Sequence, residues 1–486
     1  MTALSQLYRF RSIERLLDQG ELKNQEIYFA RPDELNDPME GFRDIFWRGD
    51  EIVWRNLFRH YLLCVERAFS FLAIAGEEHR IGWEHVPVFN YGDTSVTSQQ
   101  KEKHDEIVTA FLSADGVKAC IAALSKRSLP LRRDELAFYL RILHLFAISC
   151  IRECYEKHKL LPRQDLDAGI VEKLRSSPAL VASAIEHMKA MEGQVPINEF
   201  NINAFFGAQQ RQMAELDLIH LYNESIDRRL VNRNFVFLTF CDEYVNKIEM
   251  LVYPDWYTAC FMAECKNSAV WGSYGVNHTA VCLKFKVRNN GGHPTIRLNR
   301  MNGWNSAGPM HGKVEHQFLE IKYDNDHLPI DFFRSLGRLP IPTLKRYWYG
   351  DANGGRSACG DDIFNTENEW RAQYWESFHH AITRKLKDWS YEQEYRLVLS
   401  GSFLDFSDQK SRVAKYDFDD LEGIIFGIKT PSQKKLEIFK IIEEKCRASG
   451  RDDFKFYQAF YSRELGTIEH AEMPFLKFKT EKTIAA

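Results

Sequence analysis

The stretch Gly423–Phe460, GIIFGIKTPSQKKLEIFKIIEEKCRASGRDDFKFYQAF, reads as strand, helix, strand. Gly423–Ile428 is a short unbroken apolar run, the composition of a strand covered on both faces. Thr430, Pro431 and Ser432 then open a helix that runs to about Ala448, with Thr430 as a cap and Pro431 in the first turn, where its missing N–H costs nothing. Phe454–Phe460 is the next strand. A β-α-β unit makes its two strands parallel, so it belongs to a sheet and is expected at one edge of it.

Working outward, the surrounding zone, about residues 233–486, is rich in strands. Asn234–Cys241, Thr279–Val287, Phe318–Tyr323 and Tyr395–Ser400 have strand composition, with Gly291–Gly292 and residues 350–362 as loops. Residues 45–232 are helical instead. Trp54, Leu57, Phe58, Tyr61, Leu62, Val65, Phe69 and Leu72 form an i, i+3, i+4 stripe, and 104–124, 134–158, 165–192 and 208–230 repeat the habit. The link at 82–93 and the Val195–Asn198 break punctuate this block. Residues 1–44 begin with Leu7, Phe10, Ile13, Leu16 and Leu17 at helical spacing up to Gly20, followed by a short strand at Glu26–Arg31 and a turn-rich segment from Pro32 to Pro38. One strand cannot stand alone, so the early segment needs partners from the last zone. The expected fold is α+β: a mixed sheet formed by residues 1–44 and 233–486, with 45–232 as a large helical insertion that covers or lids it.

Composition narrows the function. Of 486 residues, 64 are Lys or Arg and 68 are Asp or Glu, giving a net charge of −4. A protein that binds nucleic acid through charge alone would be basic, so nucleic acid is not indicated. The N-terminus lacks the apolar core of a signal peptide. The most apolar run, Leu136–Ile151, is broken by Arg141 and His144, so it is expected as a buried helix and no membrane partner is expected. The ten cysteines are scattered without a CxxC pair. Cys150 and Cys154 lie one helical turn apart, and Cys260 to His278 lacks a fourth ligand at zinc spacing, so all ten are read as core thiols and no metal site is expected.

Three constellations could carry chemistry. Asn36, Asp37 and Glu40 place an amide and two carboxylates on a tight turn, or else cap a helix beginning at Pro38. Trp271, Ser273, Tyr274 and His278 surround a Gly-Ser-Tyr-Gly turn that lacks the GxSxG spacing of a nucleophile elbow. In the segment Lys385–Leu399, strand alternation puts Glu392, Glu394 and Arg396 on one face. Such a row is either an internal ion pair or the charged wall of a cleft.

In this order, IYFARPDELNDPME, VWGSYGVNHTAVCLKF and WSYEQEYRL followed by GIIFGI resemble a widespread prokaryotic family of unknown function, similar to abortive-infection proteins of the AbiG type. The resemblance covers residues 1–42 and 234–461. The chain departs from the family pattern at Met39, where Phe is usual, and at Thr279–Ala280, where Gly is usual at the second position. The likeness implies a bacterial, cytoplasmic phage-defence or toxin component, with a second defence-system protein or a phage component as partner. The order of motifs also resembles an ADP-ribosyltransferase layout with NAD as substrate. That likeness gives Tyr8, Arg9, Ser273 and Tyr274 the binding of NAD, and Glu394 and Glu392 the ribose hydroxyl and the oxocarbenium-like charge. Glu394, deeper in the strand, is expected to matter more than Glu392. Two readings stand beside this one: a metal-dependent nuclease using Asp37, Glu40, Glu392 and Glu394, and a non-catalytic sensor or binding module.

Overall fold

The computed structural model describes residues 4–89, 97–165, 167–192, 199–401 and 404–478. The Val195–Asn198 break and the end of the 82–93 link lie outside them. The chain divides into two compact units, one of residues 1–42, 254–327 and 379–486, the other of residues 43–253 and 328–378. The helical unit thus extends past 232 to Tyr253 and includes a second segment, 328–378, from within the zone expected to form the sheet. The fold is α+β.

The first unit is organised by an eight-stranded mixed sheet in the order Thr467–Glu472, Lys455–Ser462, Leu421–Phe426, Val281–Lys286, Gln6–Arg11, Trp256–Met262, Glu394–Ser400 and Leu319–Glu320. The pair Leu421–Phe426 and Lys455–Ser462 is parallel and joined by the helix Ser432–Ser449, as expected of a β-α-β unit. The helix starts one position late: Pro431 takes the cap place, and the Thr430 hydroxyl donates instead to the Ala280 carbonyl at 2.8 Å.

Residues 6–11 form a central strand rather than a helix. Leu7 lies in one buried apolar cluster and Phe10 in another, because both faces of the sheet are covered. A doubly covered strand loses its polar alternation, and that imitates helical spacing. On the Leu7 face pack Phe261, Leu283 and Leu397, the helix residues Ile438 and Ile442, and a smaller five-stranded sheet that contains the long hairpin His293–Gln317. The opposite face carries Phe10, Met262, Trp271, Cys282, Ile425 and Tyr457.

The second unit is mostly helical, with helices at 51–75, 98–113, 115–125, 133–157, 168–192 and 199–222. The stripe from Trp54 to Phe69 is buried, as is much of 136–151. Among the described residues, no single helix is long and apolar enough to cross a membrane. Asn234–Cys241 is helical, not a strand: Val236, Phe240, Tyr244 and Ile248 fall on one buried helical face. Its eight residues are rich in aromatic and β-branched types, but tertiary packing overrides that preference.

Asp50 begins the first of these helices. Its Oδ1 accepts from the N–H groups of Ile52 and Val53 at 3.1 and 3.2 Å, and its Oδ2 accepts from the Ser357 hydroxyl at 2.7 Å. Asp50→Ala is expected to lower the unfolding free energy by about 1–2 kcal/mol in urea titration, with Asp50→Asn much closer to the parent. Equal losses for the two variants would remove the capping explanation.

Candidate functional site

Two distant segments of the first unit meet in a buried charged cluster, and a third brings Tyr274 against it. Glu394 is the first residue of its strand, so its side chain and that of Arg396 share one face. Arg396 Nε donates to Glu394 Oε1 at 2.7 Å, and Arg396 Nη2 to Oε2 at 3.2 Å. Lys385 Nζ donates to Glu392 Oε2 at 2.7 Å and to Glu394 Oε2 at 3.2 Å. Glu40 reaches in from the turn, with Oε1 at 2.6 Å from Arg396 Nη1 and Oε2 at 3.8 Å from Lys385 Nζ. All five side chains are at most 4% exposed.

Three carboxylates therefore face two cations. Burial in low dielectric cannot support the surplus negative charge without cost. Burial raises the Glu392 carboxyl above the usual range against the pull of Lys385, and it raises Glu40 against the pull of Arg396. Burial would raise Glu394 too, but the charges of Arg396 and Lys385 outweigh it together and push the carboxyl down to about 2. Glu394 is the ionised hub held by both cations, and the cost of burial falls on Glu392 and Glu40.

Glu392 does not sit on the strand as the alternation predicts. It ends a 3₁₀ turn, and Gln393 is left-handed at φ 47°, which swings Glu392 out of the strand register. Its Oε1 accepts from the Tyr274 hydroxyl at 2.7 Å. Tyr8 stands opposite Met262, and Met262 opposite Glu394, so Tyr8 and Glu394 occupy one row on the same face, about 10 Å apart. Tyr8, Tyr274 and Tyr391 are all partly buried against the apolar cluster of that face.

The remaining candidates scatter. Arg9 alternates to the opposite face, where Nη2 donates to the Tyr28 carbonyl at 3.1 Å and the guanidinium lies 5.4 Å from the Phe261 ring centroid. It does not join Tyr8. Asp37 is buried, and its Oδ1 accepts from Met39 N–H at 2.9 Å. The residues after Pro38 form turns rather than a helix, and Asn36 is exposed. Ser273 is exposed, and its hydroxyl donates to the Ala269 carbonyl at 2.9 Å. Trp271 is buried, with Nε1 donating to the Cys265 carbonyl at 2.7 Å.

His278 stacks on Trp271, with ring centroids 6.4 Å apart. It ends a run of three left-handed residues, Val276, Asn277 and His278, at φ 48°, 52° and 69°. Each costs roughly 1–2 kcal/mol outside glycine. The run is held by Asn277 N–H to Gly272 O at 2.9 Å and His278 N–H to Trp271 O at 3.1 Å. A Cβ on Gly275 would lie 2.4 Å from the Trp271 carbonyl oxygen, so only glycine fits the turn that presents Tyr274.

Lys385 is the residue the sequence reading missed. It lies seven positions before Glu392, and a short parallel pairing with Tyr323 brings it under the carboxylates. Cys265 was also read as a core thiol. Its Sγ is 3.7 Å from His470 Nδ1, and a hydrogen bond from Cys282 followed by that of His470 holds the thiol below its usual range.

The opposite shifts of Glu394 and Glu392 give a pH signature. A depressed carboxyl stabilises the fold above the ordinary glutamate range and loses that contribution as pH falls toward about 2. A raised one does the reverse: its contribution is full below the ordinary range and is lost as pH rises through the folded value. Glu392→Gln is therefore expected to gain melting temperature relative to the parent as pH rises from 4 to 8, the range of thermal scans that checks it. A pH-independent difference would mean that burial does not raise the Glu392 carboxyl in the folded protein.

No family model matches the chain, and comparison with curated proteins and with solved structures returns no significant match.

Proposed function

We propose that the first unit transfers or releases ADP-ribose from NAD, as the effector of a phage-defence or toxin system. The observation that carries this is the split fate of Glu392 and Glu394. Glu394 is ionised and committed to two cations; Glu392 lies two residues before the strand, has a raised pKa and is held by Lys385 and a tyrosine hydroxyl. In the reaction the C1′–N glycosidic bond breaks, and its electron pair leaves on the nicotinamide nitrogen. The acceptor's lone pair forms the new bond to C1′, and its proton passes to Glu392. A carboxyl with a raised pKa is a better base near neutral pH than an ordinary one. A fixed negative charge beside the developing oxocarbenium lowers its energy. Tyr274 orients Glu392, and the rings of Tyr8 and Tyr391 offer apolar faces to a planar ring.

Glu392 replaces Glu394 as the expected reacting carboxylate, and Arg9 leaves the binding set. The nuclease reading is less favoured because Lys385 and Arg396 already neutralise the carboxylates that a divalent ion would need, and Asp37 is spent on its own turn. The phage-defence role rests on the motif resemblance. Incubating the purified protein with NAD and measuring nicotinamide release tests the activity, alongside cellular NAD on induced expression. Nicotinamide release together with falling cellular NAD is expected; stable NAD in both settings overturns the proposal.

A further inference from the structure

A second cluster, wholly within the helical unit, has the composition of a metal site. Cys154 and His158 are four apart at the end of the helix Arg133–Lys157, so they share one face. Glu106 comes from the helix Ser98–Ser113. His158 Nε2 lies 3.0 Å from Glu106 Oε2, and the three ligand atoms, with Cys154 Sγ, all fall within 4.8 Å of one another. An ion bound at about 2.0–2.3 Å from each ligand needs this kind of spacing.

The surroundings suit a cation. Lys157 Nζ holds Glu106 Oε1 at 2.7 Å, which orients the carboxylate and leaves Oε2 toward His158. Such an outer partner is how metal ligands are commonly held. Cys154 is buried while His158 and Glu106 are about one-third exposed, so the cluster is closed behind the sulfur and open on the other side. Burial pushes the Cys154 thiol up to about 11, and Glu106 and Glu66 push in the same direction. A bound dication would supply the opposite charge and displace the thiol proton.

We infer that Glu106, Cys154 and His158 bind one divalent transition ion of the zinc class, with water in the fourth position, and that the ion pins the helix 98–113 to the end of the helix 133–157. A thiolate, an imidazole and one carboxylate select zinc over magnesium or calcium, which take oxygen ligands. Binding breaks the S–H bond of Cys154, releases that proton to solvent and replaces the His158–Glu106 hydrogen bond with two bonds to the ion.

The probe is Co²⁺ added to the chelator-treated full chain. One equivalent should produce a thiolate-to-cobalt charge-transfer band and the visible bands of a four-coordinate ion. Cys154→Ser should abolish the charge-transfer band, and Cys150→Ser should leave it unchanged. His158→Gln, at a position about one-third exposed, should weaken binding at least about tenfold. Zn²⁺ should raise the melting temperature of the parent and not that of His158→Gln. A parent protein without the charge-transfer band overturns the site, as does a band that survives Cys154→Ser or a zinc-induced melting shift that survives His158→Gln.

Discussion

Arg396→Met is expected to destabilise the first unit by about 3–5 kcal/mol, the largest effect of any single change in the charged cluster. Arg396 is fully buried and serves two carboxylates, with two bonds to Glu394 and a close approach to Glu40. Its removal leaves Glu40, Glu392 and Glu394 facing Lys385 alone, a surplus of two negative charges in low dielectric. Glu394→Gln should be milder, because two carboxylates then face two cations and the formal charge cancels. It still costs stability: the glutamine amide sets N–H donors against the donors of Arg396 and Lys385, leaving buried groups unpaired. Thermal melting and urea unfolding of both variants check the order. An Arg396→Met protein that unfolds within about 1 kcal/mol of the parent would show that the cluster is solvated, and a Glu394→Gln loss exceeding it would refute the charge count.

Glu392→Gln should lower nicotinamide release by roughly 10²–10³-fold while the fold survives. The two halves of this expectation have separate causes. The activity falls because the amide neither carries the charge facing the oxocarbenium nor accepts the proton. The fold survives because Lys385 keeps Glu394 at 3.2 Å and the cluster becomes formally neutral. Tyr274→Phe should act in the same direction but less, since it removes one hydrogen bond to a charged group, worth about 1.5–3 kcal/mol. Steady-state assays with NAD, paired with melting curves, separate the effects. Full activity in a folded Glu392→Gln protein would return Glu392 to a purely structural role, and a collapse of the melt would do the same for a different reason.

How much of this was legible beforehand varies by residue. Glu40, Tyr274, Glu392, Glu394 and Arg396 could be singled out because charged and aromatic residues clustered at turns and strand ends are unusual, and the structure brings all five into one connected network. Lys385 lay in the quoted segment without distinction, since a lysine near a strand is ordinarily solvated. Its burial comes from a two-residue pairing with 322–323, which has no local signal. The sequence reading paired Cys154 with Cys150 and not with His158, and the third residue of the proposed ion site, Glu106, comes from another helix, so no local spacing contains that site.

The sequence by itself determined the local elements: the strand-helix-strand unit of 423–460, the helices of the middle block and the turn at 32–38. Those follow from spacing, capping and proline, which act over a few residues. Only the tertiary structure decided that residues 6–11 are a central strand, that Tyr8 faces the carboxylates while Arg9 faces away, and that 234–241 is helical. Each of these depends on which surfaces are covered from both sides. It also decided which carboxylate two cations hold and which is held by one cation and a tyrosine. Glu392 and Glu394 are two residues apart and chemically identical, and what separates them is the left-handed Gln393 between them together with the count of cations each can reach. Charge balance in a buried cluster is a sum over every group that the fold brings within a few ångströms, and no local stretch of sequence contains that sum.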